Sequence, residues 1–232
     1  SDDAKLVYII GTEVPIPGGA QEEEENVIPT SQNDAEETIS VTKAAFESVG
    51  LHDAWERVYG LVVQPGVEFG DDQVFHYQRS AAESLSREII KYERLVYEAH
   101  STDYQSETGL TQLVEDHYCI LKVGPWLTFG YREALFALSM IEEELLSSKS
   151  MKTSKLRDVI EEVMMEDPKY WKKYYPGDKS EQYFKRKYSF SDRSRYYWPN
   201  EKIRNAVDLL ISNLKQYTIS VSYTHLRAHE TA

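Results

Sequence analysis

VYEAHSTDYQ, residues Val96–Gln105, begins as a strand and turns abruptly polar. Leu95, Val96 and Tyr97 are strand formers, and Glu98, His100, Ser101, Thr102, Asp103 and Gln105 crowd in behind them. A strand whose C-terminal end carries an imidazole, two hydroxyls and two carboxylates reads as the lip of a cup, where parallel α/β folds gather their reactive groups. Three more segments have the same form. Leu6–Ile10, Val58–Val63 and Cys119–Val123 are rich in β-branched and aromatic residues and nearly continuous in apolar character, which suits strands of a parallel sheet buried on both faces.

Helical spacing fills the gaps. Ala35, Ile39, Thr42 and Phe46 share a face over Asp34–Ser48, with Gly50 as a stop. Ser80–Ile90 aligns Ala81, Leu85 and Ile89, Thr108–His117 forms a short helix, and Gly130–Leu146 a long apolar one. The order is β-α four times over, the mark of an α/β fold with right-handed crossovers. No GxGxxG follows a strand, so a dinucleotide-binding sheet is disfavoured. A (β/α)8 barrel fits better, because all four strands end in polar residues. Four strands are half of such a barrel. The expectation is the C-terminal half of a TIM (β/α)8 barrel, residues 1–148 with strands five to eight, and a start that cuts through a longer protein. Such a half would leave sheet edges bare and dissolve poorly by itself.

The remainder changes character. Ser147–Ser154 is a polar linker, Lys155–Met165 a helix ended by Asp167-Pro168, and Tyr170–Trp198 a run of aromatics and bases. Pro199 opens a last helix with Ile203, Val207, Leu210 and Leu214 on one stripe. Residues 149–216 are thus a helical extension whose aromatics pack it onto the barrel or a partner. Charge is uneven. Residues 1–148 hold nine basic and 28 acidic side chains, and residues 149–204 hold 15 and nine, within a net −13 for all 232 residues. The acidic balance argues against nucleic-acid binding, and no apolar run reaches a membrane span. One cysteine, Cys119, excludes a disulfide framework and a cysteine-based zinc site, and fits a cytoplasmic location.

Longer strings carry a family likeness. YIIGTEVPIPGG (Tyr8–Gly19), VVQPGVEF (Val62–Phe69), VYEAHSTDYQ, ILKVGPWLTF (Ile120–Phe129), YWKKYY (Tyr170–Tyr175) and YSFSDRSRYYWPN (Tyr188–Asn200) closely resemble the GatZ/KbaZ family, the Z-type subunit of bacterial tagatose-1,6-bisphosphate aldolase. The resemblance runs in order over about residues 5–216. It implies a TIM-barrel protein of galactitol, tagatose or N-acetylgalactosamine catabolism. Its Z-type chain is regarded as non-catalytic and supports a separate zinc-dependent class II aldolase chain acting on ketose phosphates. The tail, residues 217–232, departs from the family and reads as a sequencing artefact, so His225 and His229 enter no metal argument.

On that resemblance the strand ends become a site. Glu13 resembles a position near substrate, and Gly18-Gly19 lets a backbone approach a phosphate, with a rigid turn as the equal alternative. Gln64 opens the second loop, where class II aldolases carry a zinc-binding His; here Glu68 is at best a weak oxygen ligand. By analogy His100 sits where another zinc-binding His would be, Ser101 and Thr102 can donate to a phosphate, and Asp103 can orient His100 or take a sugar hydroxyl. Lys122 must pair with an acid or an anion, either a phosphate or Glu13 or Glu98, with Gly124 beside it; a Schiff-base role ranks lower. The alternative to a supporting subunit is a metal-dependent sugar-phosphate enzyme in its own right, a retro-aldol lyase or a tagatose/fructose 6-phosphate 4-epimerase. No P-loop or protein-kinase signature occurs, so phosphoryl transfer from ATP is not expected.

Overall fold

The computed structural model describes residues 6–11 and 27–218. The chain divides into two compact units, one ending at Gly124 and the next beginning at Pro125. The long helix that the sequence reading joined to the first module falls in the second.

The first unit is built on a parallel sheet. Its elements run β1 (Tyr8–Ile10), α1 (Gln32–Ser48), α2 (His52–Trp55), β2 (Val58–Val63), β3 (Glu68–Phe69), β4 (Val74–Phe75), α3 (Glu83–Ile89), β5 (Val96–Ala99), α4 (Glu107–Glu115) and β6 (Tyr118–Leu121). The four-stranded sheet has the order β1-β2-β5-β6, every neighbouring pair parallel. Its strands therefore follow chain order without reversal, as right-handed β-α-β crossovers of one sense produce.

All four expected strands are present within one to two residues. Helix starts follow their caps: the Ser31 side chain accepts from the Asp34 N–H, which opens α1 three residues before the first apolar position, Ala35, and Ser106 does the same for α4 from Gly109. Gly50, at φ +76°, closes the turn after α1.

The sheet's two faces differ. Leu61, Val63, Tyr97, Ala99 and Tyr118 pack with Ile39 of α1, Leu85 and Ile89 of α3 and Leu113 of α4. Alternation sends Ile9, Val62, Glu98 and Ile120 the other way. Ile9 is 44% exposed, and Val62 and Ile120 are half-buried. The continuous apolar character of the strands thus does not translate into burial on both sides; among the described residues α1, α3 and α4 cover one face. The sequence reading also missed the β3–β4 hairpin, whose Gly70 N–H donates to Gln73 O at 2.9 Å. Two-residue strands have no periodicity to detect.

The second unit contains α5 (Trp126–Leu146), α6 (Leu156–Glu166), α7 (Lys179–Tyr188) and α8 (Glu201–Leu214). Leu135, Phe136 and Ile141 of α5 join Leu156, Ile160, Val163 and Met164 of α6 and Ile203, Ala206, Leu210 and Leu214 of α8 in one core. Buried polar bonds close it. Glu142 accepts from the Ser154 backbone N–H at 3.0 Å and from Asn213 Nδ2 at 2.6 Å, so the polar linker is anchored at its last residue. Several aromatics of the extension join this core with α5: Trp171 donates through Nε1 to Met164 O at 2.6 Å, and Tyr175 and Tyr197 are buried in the same cluster. Helix α7 was not anticipated, although Asp178 and Glu181 form a complete capping box at its start.

Candidate functional site

Strand β5 delivers the centre of the site. Tyr97 points into the helix-covered core and donates its hydroxyl to Leu85 O at 2.8 Å. Burial pushes the phenols of Tyr97 and Tyr118 far above the usual tyrosine range, so both stay neutral under a dry face. One residue on, Glu98 points to the opposite face, yet is only 3% exposed. Its Oε1 lies 2.7 Å from His100 Nε2 and 3.4 Å from Lys122 Nζ. Sheet register explains the meeting. Glu98 pairs with Ile120 of β6, so Lys122, two residues further along, falls on the same face. Glu98 Oε2 is buried and has no hydrogen-bond partner among the described residues.

The loop after β5 is braced rather than open. Ser101 takes a left-handed conformation at φ +54°. Thr102 is fully buried, and both its N–H, at 3.1 Å, and its hydroxyl, at 2.9 Å, donate to Lys122 O. Asp103 accepts the Gly124 N–H on both oxygens, at 2.9 and 3.0 Å. His100 meets Glu98, which shares its strand face, while Asp103 has turned into the loop and holds Gly124. Gln105 ties the hairpin on, accepting from Tyr77 N–H and donating to Phe75 O, both at 2.9 Å. Together these bonds fix where Lys122 and Gly124 leave β6.

The loop after β2 lies elsewhere in the network. Gln64 Oε1 accepts the N–H groups of Gly66 and Val67 at 2.8 and 3.0 Å, closing the turn in which Gly66 has φ +89°. Glu68, on β3, accepts the N–H of Phe69 at 2.9 Å. The structure thus brings His100 and Lys122 together on Glu98, uses Gln64, Thr102, Asp103 and Gly124 to hold loops, and leaves Ser101 half-exposed beside them. Glu13, Gly18 and Gly19 lie outside the described residues.

Glu98 is the residue the sequence reading undervalued. Its signal was a lone carboxylate inside an otherwise apolar strand.

A catalytic zinc commonly takes three protein ligands. The strand ends bring one imidazole and one carboxylate together, with an ammonium group 3.4 Å from the same carboxylate. Among the described residues no group of three His, Cys, Asp or Glu is placed to hold a metal ion. This donor set does not fit a complete zinc site.

Comparison with known proteins follows the same line. The sequence profile of the family described as D-tagatose-1,6-bisphosphate aldolase subunit GatZ/KbaZ-like matches residues 1–227. A crystal structure described as a probable tagatose 6 phosphate kinase from Sinorhizobium meliloti 1021 is similar at 45% identity with a TM-score of 0.84, over 96% of this chain and 54% of that one. The chain spans about half the length of that relative. Among the described residues no helix is long and apolar enough to cross a membrane.

Proposed function

The chain belongs to the D-tagatose-1,6-bisphosphate aldolase subunit GatZ/KbaZ-like family, and from that membership we propose that it is part of a non-catalytic subunit of a class II tagatose-1,6-bisphosphate aldolase. It supports the activity and stability of a separate catalytic chain in the cytoplasmic breakdown of galactitol, tagatose or N-acetylgalactosamine. In this reading residues 1–148 are strands five to eight of a (β/α)8 barrel with their helices, and residues 149–216 are its extension. Four parallel strands in unbroken chain order support it.

The observation that carries the supporting role is the economy of the strand-end cluster. His100 lies against one oxygen of Glu98, and among the described residues the donors fall short of a zinc site. The divalent metal of the reaction then resides on the catalytic partner. Ketose phosphates meet this chain at Lys122 and Ser101, and Glu13, Gly18 and Gly19 are further candidates from the sequence. The kinase description is said of the structural relative; this sequence carries no P-loop or protein-kinase signature.

The test uses the full-length protein and its class II aldolase partner, purified separately. Cleavage of tagatose 1,6-bisphosphate is expected from the partner, to rise or last longer when the two are mixed, and to be absent from the Z-type chain alone. The second reading, an epimerase or lyase in its own right, is favoured by the buried Glu98 carboxylate beside an imidazole. Turnover by the lone chain on tagatose 6-phosphate or tagatose 1,6-bisphosphate, abolished by His100→Ala, would establish it and defeat the first.

A further inference from the structure

Tyrosines and cations form one layered face on the second unit. Arg193 is its floor. The Arg193 side chain is buried, its Cζ lies 3.2 Å from the centroid of the Tyr174 ring and 6.0 Å from that of Tyr196, and its guanidinium donates to Tyr170 O at 3.3 Å. Tyr170 and Tyr196 stack with centroids 5.0 Å apart, and they remain 36% and 39% exposed. Lys173 stands over Tyr174 and Arg195 over Tyr196, each 4.6 Å from the ring centroid. The rings are thus held in place before any ligand arrives, so little side-chain freedom is left to lose on binding. Tyrosine and arginine are also the residue types that carry most binding energy at protein interfaces.

This face is short of acids. Lys169 at its edge meets Asp167 at 3.1 Å. Arg195 donates to the Asp192 carbonyl and the Tyr196 hydroxyl, at 3.2 and 3.0 Å, and Lys173 faces a ring; among the described residues neither reaches a carboxylate. The first unit has the opposite balance, for residues 1–124 carry 24 acidic and eight basic side chains. The chain as a whole is net −13, so two copies repel at a distance. Attraction is confined to the approach in which the cationic face of one copy meets the acidic unit of the other, which makes the contact specific in orientation. The same acidic excess disfavours a nucleic acid as the occupant. We propose that this face docks on the acidic first unit of a second copy of the protein, with the tyrosine rings at the centre of the contact and Lys173 and Arg195 on carboxylates of that copy. The contact is independent of whether the protein supports an aldolase or works alone.

Sedimentation velocity of the full-length protein tests this in about 0.1 M and about 1 M sodium chloride, between which the Debye length falls from about 10 to about 3 Å. Self-association is expected at the lower salt and should weaken at the higher. Tyr196→Ala and Lys173→Glu are each expected to weaken it at least about tenfold. Both side chains are exposed, so the thermal midpoint should stay at the wild-type value. Should Tyr196→Ala melt early because Tyr170 loses its stacking partner, Lys173→Glu decides. Wild-type protein that stays monomeric at both salts overturns the proposal, as does an oligomer indifferent to salt or to Lys173→Glu. The separate aldolase chain is added in a parallel run. Its binding, lost in Lys173→Glu while the protein does not self-associate, would give the face to that chain and overturn the proposal as well.

Discussion

Replacing Asp192 by alanine should be among the most damaging single changes in the second unit. Arg132, on α5, and Asp192 have fully buried side chains, 3.0 Å apart. The guanidinium also donates to Ser189 O at 3.2 Å and lies 4.5 Å from the centroid of the Phe129 ring. Ser194 donates its hydroxyl to the same Asp192 oxygen at 2.6 Å. Arg132 Nε and Asp192 Oδ2 are buried without hydrogen-bond partners among the described residues. Removing one partner of such a pair costs up to about 3–5 kcal/mol, lessened here because Arg132 Nη2 also lies 3.2 Å from the Glu133 carboxylate. Asp192 also sits at φ +37°, which alanine tolerates poorly, adding about 1–2 kcal/mol. The sum approaches the whole stability of an ordinary domain, about 5–15 kcal/mol. The assay is thermal unfolding of the full-length protein followed by near-ultraviolet circular dichroism. Each kcal/mol lowers the midpoint by about 2–4 °C for a unit of 150–250 residues. Asp192→Asn, which keeps the backbone preference, separates charge from conformation, and Arg132→Met with Asp192→Asn completes a cycle. The double variant is expected to be more stable than the two single losses added together predict. Additive losses, or an Asp192→Ala protein within about 1 kcal/mol of wild type, would refute the reasoning.

Three further outcomes follow from the same structure. Asn213→Ala strips Glu142 of a donor at 2.6 Å and should destabilise by about 1–3 kcal/mol in the same melts, whereas a neutral result would mean that Ser154 alone satisfies the carboxylate. Asp178→Ala removes the N-cap of α7 and should cost about 1 kcal/mol, with faster amide exchange in the first turn of α7 and unchanged exchange in α8. Burial raises the Tyr197 phenol to about 12 and drives Tyr77, Tyr97 and Tyr118 higher still. A raised folded value means stability intact below the unfolded tyrosine pKa near 10 and lost as the pH climbs through the folded values, by about 1.4 kcal/mol per pH unit for each phenol. In an ultraviolet titration these four of the 17 tyrosines should ionise only as the protein unfolds; smooth titration of all 17 near pH 10 would contradict their burial.

Much of the architecture was legible because its signals are local. Val58–Val63 matches its expected strand residue for residue, and the Ser31 and Ser106 caps follow the side-chain chemistry that opens helices. What escaped was short or lacked hydrophobic periodicity. The β3–β4 hairpin has two residues a side, and α7 hid within an aromatic and basic run although its capping box was written at Asp178 and Glu181. The site divides the same way. His100 and Lys122 stood out as polar residues just past apolar strands. Thr102 and Asp103 looked equally reactive but spend their polar groups on Lys122 O and the Gly124 N–H.

The sequence by itself therefore determined the strand-helix alternation, the strand ends and the family. Only the tertiary structure decided that Glu98 meets both His100 and Lys122. Period and propensity act over a few neighbouring residues. The pairing of Glu98 with Lys122 depends on the register between β5 and β6, in which Glu98 lies opposite Ile120, 22 residues on, an alignment no local pattern encodes.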